Sequence, residues 1–168
     1  MARSKMPDVV VLLPGILGSV LQKNCKDIWA LSAGAMARGL FTGLASIKDL
    51  ALDSDPPGVE DIGDNVTASR LMADTHLFPG FWKIDGYSRI VQTILSKFQV
   101  ELGQNYFEFP YDWRRDNRLA AVQLKRLSKA WLDSWRQKSG NAKARLVLAQ
   151  CVIQRCARLP LASRKLAT

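Results

Sequence analysis

The stretch VVVLLPGILGSVL, residues 9–21, decides how this chain of 168 residues is expected to fold. Val9 to Leu13 form a short, continuous apolar run, which is typical of a strand buried on both faces of a parallel sheet. Pro14 and Gly15 interrupt the run, so the chain must turn directly behind the strand. The stretch therefore predicts a buried first strand and a tight loop, not a membrane span, which needs about 18 or more uninterrupted apolar residues.

The segment between this strand and residue 85 contains two different patterns. Residues 30–47, ALSAGAMARGLFTGLASI, predict a helix built from small residues. Residues 52–65, LDSDPPGVEDIGDN, are rich in Asp, Pro and Gly and predict a series of turns outside the core.

Residues 85–103, DGYSRIVQTILSKFQVELG, predict a helix. Asp85 is expected as its N-cap and Gly103 as its end. The expected buried face consists of apolar residues that recur every four positions, namely Ile90, Ile94 and Phe98.

The next three segments complete an alternation of strands and helices. Residues 105–109, NYFEF, predict a strand, and residues 144–149, ARLVLA, predict a buried parallel strand. Residues 117–138 predict a helix that ends at 139–141, with an apolar stripe of Ala120, Leu124, Leu127, Trp131 and Trp135. Strands that alternate with helices predict an α/β fold with a parallel sheet, flanking helices and right-handed crossovers.

The net charge of +9 is concentrated at one end of the chain. Residues 1–133 contain 16 Lys and Arg against 15 Asp and Glu, whereas residues 134–168 contain 8 Lys and Arg and no acidic residue. The body is therefore electrically ordinary, and nucleic acid is not an expected partner. The acid-free end needs a separate explanation.

The cysteine and histidine content indicates a reduced, metal-free protein. No C-x-x-C motif is present, and His76 is the one histidine, so no disulfide framework, metal site or cofactor is expected. No small-x-small cleavage motif follows the first apolar run, so no secretory signal is predicted. We therefore expect a cytoplasmic protein with reduced thiols at Cys25, Cys151 and Cys156.

Residues 111–117, YDWRRDN, place two aromatic side chains, two acids and three further polar residues directly behind a predicted strand. Together with PGILG at 14–18, IDGYSRIVQTILSKF at 84–98 and LVLA at 146–149, they occur in an order that resembles the lecithin:cholesterol acyltransferase family. That family comprises α/β-hydrolases that act as lipases, phospholipases and O-acyltransferases. The resemblance implies that residues 7–149 are the N-terminal part of such a domain, with an incomplete α/β-hydrolase-like parallel sheet.

The resemblance implies an oxyanion-side loop at PGILG. Gly15 and Gly18 would allow a sharp turn that brings backbone amides near a reacting carbonyl. The donor would be the amide of Ile16 or that of Leu17. The alternative is an ordinary glycine turn behind a core strand.

The string Tyr111, Asp112, Trp113, Arg114 is expected to be structural. Asp112 could form a buried bidentate ion pair with Arg114 or the neighbouring Arg115 and anchor the strand end under the active-site loops. A catalytic role for Asp112 is the less favoured reading.

Two further residues have competing interpretations. Trp29 could contact an acyl chain under a lid, or it could pack in the core. His76 precedes any nucleophile, whereas the triad of this fold runs Ser, acid, His along the chain, so His76 is expected to be a loop or satisfied histidine.

The nucleophile elbow that the resemblance requires after LVLA is absent. The sequence continues as QCVIQRC, so Cys151 falls at the nucleophile position and Ile153 falls where a glycine is needed. A β-branched residue resists that turn. A cysteine hydrolase is the remote alternative, because a thiolate is a strong nucleophile, but no histidine or acid follows Cys151 to act as its base.

Residues 150–168 are expected to be an atypical basic tail, which a frameshift, a splice change or a mis-assigned gene end would explain. The leading hypothesis is a truncated relative of lipid-ester acyltransferases and lipases that is inactive alone and whose family acts on lipid or acyl-ester substrates. The alternative is a non-catalytic module that contacts lipid or an anionic membrane surface through the basic tail. A third hypothesis is a fragment that needs a partner chain for the missing half.

Overall fold

The computed structural model describes residues 2–30, 48–78, 82–84 and 86–151. These residues form a mixed structure of helices and sheets that includes parallel strands, which places the chain in the α/β class. Most of the helix predicted at 30–47 and nearly all of the basic tail lie outside the described residues. The turns expected at 52–65 contain neither helix nor strand.

The described elements follow one another in a fixed order. The strands are β1 (Ser4–Lys5), β2 (Val9–Pro14), β3 (Ser19–Lys23), β4 (Lys26–Trp29), β5 (Val66–Leu71), β6 (Thr75–Phe78), β7 (Trp82–Ile84), β8 (Phe98–Gln99), β9 (Tyr106–Glu108) and β10 (Leu146–Cys151). The two helices named here are α1 (Ser88–Lys97) and α2 (Asn117–Ser139).

A parallel sheet with the order β10-β2-β9 forms the centre of the described structure. Strand β2 is the first of the three in sequence yet lies between the other two. Its position confirms the buried first strand that the apolar run predicts. The three strands point the same way, so the C-terminal ends of β2, β9 and β10 lie at one edge of the sheet.

The two helices cover opposite faces of this sheet. Val10 and Leu12 of β2 pack in one cluster with Ile94 of α1, whereas Val9 and Val11 pack in another with residues of α2. The alternation follows from the two-residue period of a strand, which directs successive side chains to opposite faces. All four β2 side chains are at most 4% exposed, so the core lies on both sides of β2.

Helix α1 is shorter than predicted. It begins at Ser88 with Tyr87 at the N-cap position, so the expectation that Asp85 would be the N-cap is wrong. It ends at Lys97, because Phe98 and Gln99 pair with β1 as a short parallel strand instead of continuing the helix to Gly103. A tertiary contact with the N-terminus thus overrides the helical pattern.

Helix α2 agrees closely with its predicted bounds. The Asp116 side chain accepts a hydrogen bond from the Arg118 amide at the N-terminus, and Gly140 adopts φ 68° directly behind the C-terminus. Leu127 was expected in the buried stripe but is 37% exposed, whereas Leu132 packs in the cluster. The other expected stripe residues do pack there, namely Ala120, Leu124, Trp131 and Trp135.

A second, antiparallel sheet with the order β4-β3-β5 was not predicted. Strands β3 and β4 are joined by a two-residue turn in which Asn24 and Cys25 both have positive φ, 50° and 62°. Turns of this type normally have glycine at the second position. Because Cys25 occupies it here, the sequence gives no hairpin signal and the pattern was missed.

Strand β10 is less buried than its apolar sequence suggests. Val147 is 39% and Leu148 is 46% exposed, in contrast to the fully covered β2 beside them. The parallel pairing of β10 with β2 confirms the predicted strand type. The expectation that the strand would be buried is wrong, because among the described elements only β2 pairs with β10.

Candidate functional site

The PGILG loop is a tight turn held by one backbone hydrogen bond. The Gly18 amide donates to the Gly15 carbonyl at 3.0 Å, and Leu17 adopts φ 66°. A turn with positive φ at its third residue alone is a type II turn, which favours glycine at that position. Leu17 is therefore a strained residue, and a left-handed leucine costs about 1–2 kcal/mol.

Gly18 is required by its surroundings and not by its φ. A Cβ atom at this position would lie 2.6 Å from the Tyr87 hydroxyl oxygen and 2.9 Å from the Gly15 carbonyl oxygen. Both distances are shorter than a nonbonded contact between carbon and oxygen allows. The second glycine of the motif therefore allows close packing of the turn against Tyr87.

Tyr87 fixes the turn from the opposite side and was not identified from the sequence as a site residue. Its hydroxyl oxygen accepts a hydrogen bond from the buried Gly15 amide at 2.7 Å. A tyrosine hydroxyl is neutral at pH 7, and burial raises the pKa of the Tyr87 hydroxyl further. The Tyr87 amide in turn donates to the Met72 carbonyl, and the Met72 amide donates to the Gly18 carbonyl.

The two amides proposed as oxyanion donors are left available by this arrangement. The Gly15 amide is occupied by Tyr87, whereas the amides of Ile16 and Leu17 donate to no other described residue. Residue Ile16 is 70% exposed and Leu17 is 40% exposed. Ile16 and Leu17 therefore lie at the molecular surface, and no described group accepts a hydrogen bond from their amides.

The loop after β9 is attached directly to the same turn. The Tyr111 amide donates to the hydroxyl oxygen of the fully buried Ser19 at 3.0 Å, and the Trp113 indole donates to the Ser19 carbonyl at 3.3 Å. The YDWR string and the PGILGS string are therefore one structural unit. Ser19 was not singled out from the sequence because an isolated serine has no distinctive pattern.

Trp29 lies against both strings. Its indole nitrogen donates to the Leu17 carbonyl at 3.1 Å, and its ring meets Trp113 edge to face with the centroids 5.2 Å apart. Half-buried Trp29 is packed against the core cluster that contains Tyr87. The contact holds the strained Leu17 in place; contact with an acyl chain stays a prediction.

Arg114 forms the bidentate ion pair expected for the YDWR string. Its guanidinium contacts both carboxylate oxygens of Asp112, with the shortest distance 2.6 Å, and also contacts Asp64 at 2.7 Å. The Arg114 side chain is only 4% exposed. Burial opposes ionisation of Asp64, but hydrogen bonds from Arg114 and the Val66 amide outweigh it and lower the Asp64 pKa.

Arg115 does not share in that ion pair, contrary to one reading of the sequence. It contacts Asp55 at 2.7 Å and donates to the backbone carbonyls of Val59 and Glu60. Hydrogen bonds from Arg115 and the Asp116 amide lower the Asp55 pKa. The two arginines therefore join the loop of residues 52–65 to the end of β9, a connection between distant segments that no sequence pattern indicated.

Cys151 lies at the edge of the sheet where the turn is located. It is the last residue of β10, and its Cα is in register with that of Pro14, the residue directly before Gly15. The side chain of Cys151 lies outside the described part, as does that of His76, which is in β6. The backbone thus brings the position expected for a nucleophile beside the turn with the available amides.

Among the described basic residues from position 134 onward, the side chains of Arg136 and Arg145 have partners. The Arg136 guanidinium donates twice to the Ala144 carbonyl, at 2.8 and 3.0 Å, and Arg145 contacts Asp8 at 3.4 Å. These two side chains hold the end of α2 and the start of β10. Arg136 is thus engaged in a structural contact, whereas the Arg145 side chain is still 70% exposed.

Comparison with known proteins identifies no relative. No helix in the described part of the chain is long and apolar enough to cross a membrane. No family model, no curated protein and no solved structure matches the chain, so the resemblance to the lecithin:cholesterol acyltransferase family stays a prediction from the sequence motifs.

Proposed function

We propose that this chain contains the oxyanion-side half of an acyl-transfer site, of the kind that lipases and O-acyltransferases use on lipid esters. The observation that supports the proposal is the pairing of Pro14 with Cys151. It brings the end of β10 beside a turn whose Ile16 and Leu17 amides are available as donors. An acyl-transfer site needs this pair of features, a nucleophile position and preorganised donors, within about 3 Å of one carbonyl group.

The turn is suited to stabilise an oxyanion because it is fixed before any substrate arrives. The Gly15 amide is held by Tyr87, and the Leu17 carbonyl is held by Trp29. Donors that need no reorganisation stabilise the charge that develops on a carbonyl oxygen. One such donor lowers the activation free energy by about 3 kcal/mol in known hydrolases. Either Ile16 or Leu17 would supply it.

The apolar surroundings of the turn support a lipid ester as the substrate class. Ile16 and Leu17 are exposed apolar residues, and the indole of the half-buried Trp29 donates to the Leu17 carbonyl, so the turn carries apolar surface. An acyl chain that contacts these apolar residues would exclude water from an oxyanion bound at the turn.

The nucleophilic half of the site is not provided by residues 1–168. Position 151 is a cysteine, position 153 is an isoleucine where the elbow needs glycine, and no histidine follows His76. A thiol without a base is a poor acyl acceptor at neutral pH. We therefore expect no ester turnover by this chain alone.

The decisive experiment is to sequence the encoding DNA and transcript across codons 145–168 and several hundred bases beyond. The proposal predicts a shifted frame that encodes A-H-S-x-G-G after Leu148, followed later by an Asp and a His. A frame that ends at Thr168 with no such continuation nearby would remove the acyl-transfer proposal.

An activity assay tests the expected inactivity of the half-site. Purified protein is expected to give no hydrolysis of p-nitrophenyl butyrate above the buffer rate. Hydrolysis that disappears in Cys151→Ala would instead assign cysteine-based catalysis to this chain.

A second candidate function is attachment to anionic membrane surfaces. It is favoured by the Lys and Arg residues at 134–168, a segment that contains no Asp or Glu. Such attachment would be electrostatic and would weaken steeply as salt is raised to about 0.5 M. Binding to vesicles containing phosphatidylserine that persists at that salt concentration would argue against it.

A further inference from the structure

Strand β10 forms an open edge of the central sheet within the described residues. Its inner side pairs with β2 over its whole length, and no other described strand pairs with it. The Val9 amide donates to the Arg145 carbonyl, so the backbone groups of every second residue from Arg145 face β2. The backbone groups that face outward belong to the residues between them, namely Leu146, Leu148 and Gln150.

The open edge is apolar on both of its faces. Leu148 is directed to the α2 side of the sheet and is 46% exposed, whereas Val147 is directed to the α1 side and is 39% exposed. A long edge strand of this kind is a template for pairing with another strand. Natural proteins usually prevent such pairing with a charge, a proline or a bulge on the edge. Residues 146–151, LVLAQC, contain no charged residue and no proline, and their register with β2 is continuous.

We propose that β10 pairs with β10 of a second copy of this chain, antiparallel and about a twofold axis through Leu148. In this register Leu148 lies opposite Leu148 of the other copy, and Leu146 lies opposite Gln150. Each copy offers three outward N–H groups and three outward carbonyls, so every outward backbone group of β10 finds a partner. The proposal does not depend on the acyl-transfer function.

The charge of Arg145 disfavours an alternative register that is centred on that residue. Arg145 lies opposite position 151 of the other copy, so the two Arg145 side chains are at opposite ends of the paired strands. Each Arg145 also contacts Asp8 of its own chain, which compensates its charge. A register centred on Arg145 would place the two like charges directly opposite each other, which destabilises an antiparallel pair. On the α1 side, Val147 would lie opposite Ala149, which completes an apolar contact.

Sedimentation equilibrium of the full chain, over about 1–200 µM protein, tests the proposal. Wild type is expected to fit a monomer–dimer equilibrium. Leu148→Lys places two like charges across the twofold axis and is expected to raise the dimer dissociation constant at least about tenfold. Leu102→Lys is the matched control, because Leu102 is 70% exposed and lies next to β9, at the opposite edge of the sheet. It is expected to change the constant by less than about twofold.

A second variant keeps the test independent of the folding of Leu148→Lys. Opposed residues of an antiparallel hydrogen-bonded pair have Cα atoms about 5.5 Å apart, a distance that a disulfide can span. Leu148→Cys is therefore expected to form a 148–148 intermolecular disulfide on mild oxidation, identified by mass spectrometry of the linked peptides. Leu102→Cys, treated in the same way, is expected to give no 102–102 link.

Three results would overturn the proposal. The first is a chain that stays monomeric up to 200 µM. The second is a dimer that Leu148→Lys does not weaken and in which no 148–148 disulfide forms. The third is a monomer whose Leu146, Leu148 and Gln150 amides are nevertheless protected from hydrogen exchange, because the chain itself would then cover the edge.

Discussion

Removal of one hydroxyl group tests whether Tyr87 holds the PGILG turn. Tyr87→Phe keeps the buried ring and removes the oxygen that accepts from the Gly15 amide at 2.7 Å. Gly15 is buried, so its amide would be left without a partner and without water. An unsatisfied buried donor costs about 1–3 kcal/mol, and we expect the free energy of unfolding to fall by about 2 kcal/mol.

Urea denaturation followed by circular dichroism at pH 7 measures this change. For a urea m-value of about 2 kcal/mol/M, the expected loss lowers the midpoint by about 1 M without altering the slope. Hydrogen exchange gives a local readout, since the Gly15 amide should lose protection while the amides of β2 keep theirs.

Tyr111→Phe is the matched control. It removes a hydroxyl from a half-buried tyrosine of the same region, and that hydroxyl makes no hydrogen bond to another described residue. We expect a change of less than about 0.5 kcal/mol. Equal destabilisation by Tyr87→Phe and Tyr111→Phe would refute the reasoning. Unchanged hydrogen-exchange protection of the Gly15 amide in Tyr87→Phe would also refute it.

Three further predictions concern the turn and the ion pairs. Leu17→Gly should relieve about 1–2 kcal/mol of strain from the left-handed backbone. It also adds about 0.5–1 kcal/mol of backbone entropy to the unfolded chain, so thermal unfolding should show that the free energy of unfolding rises by about 0.5–1 kcal/mol. Ile16→Gly, at a residue without positive φ, should show a loss instead, and the opposite ranking would contradict the turn geometry. Arg114→Lys should lower the free energy of unfolding, measured by urea denaturation, by about 2–4 kcal/mol, because lysine cannot replace a buried bidentate contact. The Arg118 side chain is 89% exposed, so Arg118→Lys should lower it by less than about 0.5 kcal/mol. The folded-state pKa of Asp64 lies below its unfolded value of 3.8, so its contribution is complete above about pH 5 and is lost as the pH falls through the folded pKa. Unfolding free energies measured from pH 6 to pH 2 should therefore fall less steeply in Asp64→Asn than in wild type, and parallel curves would show that Asp64 makes no such contribution.

The parallel sheet and helix α2 could be predicted because their signals are local. The apolar run from Val9 and the stripe with helical spacing around Trp131 each report the burial of their own element. Gly140 marked the end of α2 through a conformation that glycine adopts without strain. The ion pair of Asp112 with Arg114 was also accessible, since the two residues are close in sequence.

The candidate site was predictable in part. The PGILG turn was identified from its glycines, but the role of Tyr87 was not, because its partner Gly15 is 72 positions away. The early end of α1 at Lys97 was missed for the same reason, since the competing partner strand is at the N-terminus. The antiparallel sheet was missed because Cys25 occupies a hairpin-turn position where glycine is the usual signal.

The sequence by itself determined the alternation of elements, the sharp turn after β2 and the absence of a nucleophile elbow, all of which depend on residues that are neighbours in the chain. Only the tertiary structure decided what that turn can do. Tyr87 occupies one amide, Trp29 and Trp113 tie the turn to the loop after β9, and β10 brings position 151 to its side. The physical reason is that hydrogen bonds and packing between distant segments depend on which surfaces the fold brings together, and a local pattern contains no information on its distant partners.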